Sequence, residues 1–268
     1  MAGRKRWNAA LISGGGSGIG LRLTELLLER GTNVAVLDLT IRREVREQLD
    51  KRTATGSAMC SFHEANVCDA AALDGAARDA VHAVGPLDLA INSAGIQICK
   101  TFDEITSEEF ARVVDVNLVG SRNFAAAVLP QMGPGSRLAL IASLAGFVAN
   151  YGYAAYNASK FGVVGLAGAL RLESRPRGIG VSVVCPPEVE TPMVEAERAS
   201  GDPISLKMKE FSGTLALDDA CRDILSGLDA GRAVIIPGRR ARMTQRLARF
   251  VPGLLNAISD RMIRRALP

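Results

Sequence analysis

Six short apolar runs recur along the chain: AALI (9–12), NVAVL (33–37), LDLAI (87–91), RLALIA (137–142), VSVVC (181–185) and AVIIP (233–237). A strand with one wet face alternates apolar and polar side chains. These runs do so little, which predicts strands covered on both faces, as in parallel sheets. Between them, residues 18–30, 69–84, 107–131 and 156–175 carry apolar positions at helical spacing. Strands alternating with helices predict an α/β domain whose parallel sheet is joined by right-handed crossovers. No repeat, low-complexity stretch or linker interrupts residues 1–238, so they are expected to form one domain.

A different pattern begins at Arg239. Met243, Leu247, Phe250 and Val251 form one helical stripe, and Leu254, Leu255, Ile258 and Met262 form another after Pro252-Gly253. Two short amphipathic helices broken by Pro-Gly are predicted. Residues 239–268 hold eight arginines and one acid, a charge of +7, so the other 238 residues sum to −3. The stripes are expected to pack on the protein itself, shaping the pocket or a subunit contact. A peripheral membrane contact is the alternative.

Composition narrows the chemistry. Apolar residues make up 48% and aromatics only 4%, which suits aliphatic strands and alanine-rich helices. The five cysteines form no CxxC, arguing for a reducing compartment. With two histidines, His63 and His82, neither a histidine triad nor a metal site is expected. No long apolar run or signal-peptide stretch is seen, so a soluble cytoplasmic protein is expected. The net charge of +4 sits mostly in the tail and accompanies no nucleic-acid motif, so no nucleic acid is expected as partner.

Two stretches carry candidate chemistry. LISGGGSGIG follows the first strand and opens a helix, with Gly14, Gly18 and Gly20 allowing backbone N–H groups to approach a pyrophosphate. Such a turn also suits close packing alone. Eighteen residues past Gly20, Asp38 ends the second strand. A carboxylate there accepts from the ribose hydroxyls of NAD and repels a 2′-phosphate. In YGYAAYNASK, Tyr156 and Lys160 share a helix face, being four apart, while Tyr151 and Tyr153 fall outside that register. An ammonium beside a phenol favours the phenolate, so Lys160 is expected to lower the pKa of Tyr156 and make it an acid or base.

With these residues in place, the chain resembles the short-chain dehydrogenase/reductase family over about residues 8–238. The family's TGxxxGIG stands as Ser13 to Gly20, NNAG as Asn92-Ser93-Ala94-Gly95, and YxxxK as Tyr156 to Lys160. Ser143 lies thirteen residues before Tyr156, Asn117 stands in VVDVNLVG, and PPEVET spans Pro186 to Thr191. The resemblance implies a doubly wound, Rossmann-like fold with helices on both faces, followed by the helical extension. It implies a catalytic set of Asn117, Ser143, Tyr156 and Lys160. Tyr156 exchanges the proton, Ser143 holds the substrate oxygen, Lys160 holds the nicotinamide ribose, and Asn117 holds a water linking Lys160 to solvent. It also implies cofactor contacts from Gly14, Ser17, Gly18, Ile19, Gly20, Asp38, Asn66, Val67, Asn92, Ala94, Gly95, Pro186, Val189 and Thr191.

Three features qualify that implication. Asn66-Val67 stands where the family often has Asp-Val, with the amide still able to bind adenine. Pro187 replaces the usual glycine of the PG turn, fixing φ and removing a donor. The Pro-Pro turn is similar to the branch of 3-ketosphinganine reductases, which favours NADPH, whereas Asp38 favours NAD. NAD is the expectation, NADP the lesser one. The substrate wall is expected from Ile96, Ser143, Leu144, Phe147, Val148, Tyr151, Met193 and Val194, hence a lipophilic secondary alcohol or ketone, steroid-like or long-chain. The alternatives are an NADPH-dependent 3-oxo lipid reductase and a non-catalytic dinucleotide-binding regulator. Family resemblance implies a homodimer or homotetramer built on the helices at 107–131 and 156–175.

Overall fold

The computed structural model describes residues 7–54, 56, 58–200, 204–206 and 213–266. Its main sheet comprises β1 (Ala9–Ser13), β2 (Asn33–Asp38), β3 (Cys60–Glu64), β4 (Leu87–Asn92), β5 (Met132–Ile141), β6 (Gly180–Val184) and β9 (Val234–Ile235). All seven run parallel in the order β3-β2-β1-β4-β5-β6-β9. A separate two-stranded sheet pairs β7 (Glu188–Val189) with β8 (Thr214–Leu215). β3 has no counterpart among the six apolar runs. It is an edge strand with no fully buried residue, so its CSFHE sequence needs no continuous apolar character. The last run is reduced to Val234–Ile235, at the opposite edge.

The helices are α1 (Gly18–Glu29), α2 (Arg43–Thr53), α3 (Ala70–Val84), α4 (Ser107–Val114), α5 (Gly120–Val128), α6 (Ala154–Glu173) and α7 (Pro192–Ser200). They are followed by α8 (Leu217–Asp229), α9 (Arg239–Phe250) and α10 (Pro252–Ala266). Alternate strand residues feed two cores. Leu11, Leu37, Leu138 and Val183 pack with Leu73, Phe124 and Val163 from α3, α5 and α6. Ile12, Val36, Ile91 and Val184 pack with Leu23, Leu49 and Ile224 from α1, α2 and α8 on the other face. A sheet buried on both faces explains the unalternated runs. The fold is the expected doubly wound one.

Between α4 and α5 the predicted long helix widens into a π-helical turn at Asp115–Val119. Such turns re-aim the side chains they carry. Strand order reverses between β1 and β4, so connections leave on opposite sides and open a crevice at the strands' C-terminal ends.

The extension breaks at Pro252 as predicted, but the expected burial of its stripes fails in large part. Met243 is 70% exposed, Phe250 74% and Leu254 51%. The buried positions are Ala241, Thr244 and Leu255. Small residues let α9 approach the body closely, so the face inward is not the most apolar one. No helix among the described residues is long and apolar enough to cross a membrane.

Candidate active site

A cavity of about 740 Å³ fills the crevice, bounded by the turn after β1, the ends of β2, β4, β5 and β6, and α7. The β1 turn is shaped by glycine. Gly14 has φ of 64°, and a Cβ there would lie 2.6 Å from the amide nitrogen of Ala94. At Gly20 a Cβ would meet the Gly14 carbonyl oxygen at 2.1 Å, so α1 starts in contact with the turn it follows. Side chains at either position would push the turn and the β4 loop apart. Asp38 reaches back to this turn: its carboxylate accepts from the Gly16 N–H at 2.9 Å and the Leu39 N–H at 2.8 Å. Ser17, Gly18, Ile19, Ala94, Gly95, Asn66 and Val67 line the same end. Asn66 is exposed, and its side-chain oxygen accepts from the Cys68 N–H at 2.9 Å.

At the other end stand Ser143, Tyr156 and Lys160. Ser143 follows β5 in extended conformation, its hydroxyl accepting from the Ala145 N–H at 3.1 Å. Tyr156 and Lys160 are one turn apart on α6, the lysine nitrogen 5.5 Å from the centre of the Tyr156 ring. Lys160 is buried and donates to the Ile141 carbonyl at 3.1 Å. Loss of water pulls its ammonium down to about 8. Tyr156 departs from the sequence expectation. Burial pushes its phenol up to about 12, only partly offset by the neighbouring Ser143 hydroxyl, while Glu197 and Cys99 push it further up. The lysine shares the face as the spacing predicts, but burial is the largest influence on the phenol.

Asparagines fix the site from behind. Asn117 is buried in the π-helical turn. Its amide donates to the Ile96 carbonyl at 2.9 Å and the Ser159 hydroxyl at 3.0 Å, while its oxygen accepts from the Ile96 N–H at 2.8 Å. It thus clamps the loop after β4 to α6, a role the sequence did not reveal. Asn157 holds the loop after Ser143. Its amide donates to the Ala145 carbonyl at 2.7 Å and the Val148 carbonyl at 3.0 Å, and its oxygen accepts from the Asn150 N–H at 3.1 Å.

Pro186, Val189 and Thr191 lie along the wall, with Ile96, Leu144, Val148, Met193 and Val194 beside them. Two expected cofactor contacts, Asn92 and Gly20, and two expected wall residues, Phe147 and Tyr151, do not line the cavity. Asn92 is buried instead, accepting from the Ser13 hydroxyl and donating to Ser121 at 2.8 Å, which ties β4 to β1 and α5. Gly20 packs under the turn rather than facing the cavity. Phe147 packs against the core and opens on a separate groove. Tyr151 is displaced by Tyr153, whose ring meets Tyr156 edge-on with centroids 5.7 Å apart.

Tyr153 also brings polarity that the sequence reading missed. Its hydroxyl donates to Glu197, buried on α7, and accepts from the Gln97 amide at 2.8 Å. Gln97 lines the cavity. Pairing across 44 and 56 residues leaves no local signal, although the three tyrosines did mark the segment.

The model of the short chain dehydrogenase family matches residues 8–201. A 3-dehydrosphinganine reductase of Arabidopsis thaliana is 33% identical over 236 residues, covering 86% of this chain and 70% of that protein. A 3-hydroxyacyl-CoA dehydrogenase type-2 of Bos taurus is 35% identical over 199 residues, covering 69% and 74% respectively. Among solved structures, a dehydrogenase/reductase from Sinorhizobium meliloti superposes with a TM-score of 0.74 at 27% identity, covering 87% of this chain and 94% of that one.

Removing the Asn157 amide leaves two carbonyls and one N–H of the 145–150 loop without their partner. Asn157→Ala is expected to lower unfolding free energy by about 1–3 kcal/mol, measured in denaturant. Amide exchange in that loop should quicken while the β-sheet core stays protected.

Proposed function

The chain belongs to the short chain dehydrogenase family, oxidoreductases acting on CH–OH groups, and on that premise we propose that it moves a hydride between NAD(H) and a lipophilic secondary alcohol or ketone. A long-chain or steroid-like oxo compound is the substrate class. The observation that carries this reading is that Ser143, Tyr156 and Lys160 share one cavity with the glycine turn and Asp38. A non-catalytic dinucleotide binder would have no use for the first three.

The residues present fit a nicotinamide dinucleotide. The turn at Gly14 admits no side chain, leaving its backbone at the cavity wall at the start of α1, where a pyrophosphate is favoured. Ser17, Gly18 and Ile19 would hold the phosphates, Asp38 the adenosine ribose, Asn66 and Val67 the adenine, and Ala94 and Gly95 the adjoining backbone. Val189 and Thr191, with Pro186, would hold the carboxamide end, and Lys160 the second ribose. Bound there, the cofactor supplies or accepts the hydride. Tyr156, its proton held by burial, gives that proton to the carbonyl oxygen in reduction and takes it back in oxidation. The Ser143 hydroxyl hydrogen-bonds the same oxygen and stabilises its developing charge. Lys160 keeps a positive charge beside the phenol at neutral pH. Asn117 sets the distance between α6 and the β4 loop.

Asp38 also favours NAD over NADP. Arg43 is turned to Glu47 at 2.7 Å, and neither it nor Arg42 lines the cavity. The 3-dehydrosphinganine reductase relative favours a second reading, an NADPH-dependent 3-oxo lipid reductase. The wall sets apolar Ile96, Leu144, Val148, Met193 and Val194 beside polar Gln97, Asn150, Tyr153 and Glu188, which suits a ketone that carries a hydrogen-bonding group on an apolar body. Residues 1–238 would form the catalytic unit and 239–268 an appended one. None of the five cysteines forms a disulfide, which supports a cytoplasmic setting.

Assembly is part of the same proposal. Phe161 is 45% exposed and Leu172 61% on α6, with open space above Gly165 and Gly168. That surface lets a second copy approach closely, giving a homodimer or homotetramer. Sedimentation should show a multiple of the 28.3 kDa chain, and a monomer alone would contradict it.

Tyr156→Phe tests the chemistry. Turnover of secondary alcohols, followed by NADH fluorescence, should fall by at least about a hundredfold, with NADH affinity nearly unchanged. Ordinary turnover in that variant would remove Tyr156 from the mechanism.

For the cofactor, titrations should show tighter binding of NADH than NADPH, and Asp38→Ala should narrow the difference. Preference for NADPH in the unaltered protein would reverse the assignment.

A further inference from the structure

Away from the cavity, a groove of about 490 Å³ runs between the C-terminal half of α6, β9 and α9. Phe147, Val164, Val234 and Ile236 form its apolar surface. Arg171, Arg232, Arg242, Arg246 and Arg249 ring it. Among the described residues, Arg242 has one carboxylate in ion-pair reach, Asp223 at 3.8 Å. The other four arginines are exposed and form no ion pair with a described acid.

Helix α9 joins this groove to an apolar strip. At about 100° per residue, Arg242, Arg246 and Arg249 face the groove while Met243 and Phe250 come next around the helix. Those two side chains are the most exposed apolar ones of the extension. Val251, 47% exposed, and Leu254 continue the strip across the break into α10. Four arginines without a described acid in ion-pair reach thus border exposed apolar side chains.

One occupant satisfies both strips. Phosphate groups of an anionic bilayer complement the arginines, and the boundary with the acyl chains accepts the apolar side chains. A second copy docked symmetrically on the same patch would set these arginines against their own images, and like charges oppose that contact. We propose that the arginine-ringed groove and the exposed strip of α9 dock this protein on anionic lipid surfaces without spanning them. Headgroup phosphates occupy the groove, and Met243, Phe250, Val251 and Leu254 enter the interface. This docking stands independently of the proposed reaction.

The test is co-sedimentation of the full chain with vesicles of phosphatidylglycerol and phosphatidylcholine, against phosphatidylcholine alone. Binding is expected only to the anionic vesicles and should weaken as salt is added. Arg246→Gln and Arg249→Gln should each weaken it about fivefold, the equivalent of about 1 kcal/mol per arginine. Phe250→Ser should weaken it further, with thermal melting and NADH binding unchanged in all three. Equal binding to both vesicle types, or none, overturns the proposal. So does dissociation of the oligomer by Phe250→Ser, which would make the strip a subunit contact. Inorganic phosphate raising the melting temperature without vesicle binding would make the groove a site for a free anion and would also overturn it.

Discussion

The buried ammonium of Lys160 is the constraint on which the rest of the site depends. An ammonium taken out of water is costly unless polar groups surround it, and here the cost appears as a pKa pulled down to about 8. Its compensation comes from the Ile141 carbonyl at the end of β5 and the face of the Tyr156 ring. Both lie correctly only if α6 sits tightly on β5 and β6. Glycine makes that approach possible: at Gly146 a Cβ would lie 2.8 Å from the Lys160 carbonyl oxygen. The same tight packing desolvates Tyr156, which pushes its phenol up.

Tight packing around polar groups requires that each of them find a partner. The asparagines meet that need. Asn117 and Asn157 hold the loops on either side of α6, and Asn92 holds β4 to β1 and α5. The π-helical turn aims Asn117 at the β4 loop. None of the three lines the cavity; they fix the positions of the segments that do.

The extension obeys the opposite rule. Its buried positions are Ala241, Thr244 and Leu255, while Met243, Phe250 and Leu254 stand in water among exposed arginines. A segment stabilised only by packing would place its largest apolar side chains inward. This one turns them out beside its arginines.

Much of this was legible in the chain itself. Five inner strands announced themselves as apolar runs because burial on both faces removes alternation, and α1 and α6 followed from the glycine turn and helical spacing, with α6 two residues earlier than expected at each end. The shared face of Tyr156 and Lys160 follows from helix geometry alone. Features set by periodicity or by local backbone geometry are available to sequence reading because neighbours in the chain decide them. The edge strand β3, the wall role of Tyr153 rather than Tyr151, the retreat of Asn92 and the outward strip of α9 were not legible. Each depends on which distant residue lies opposite, as Glu197 does to Tyr153 and Ile96 to Asn117. The pKa of Tyr156 belongs with them. Spacing brings a lysine to its face, but only the packed tertiary structure removes the water whose loss pushes the phenol up.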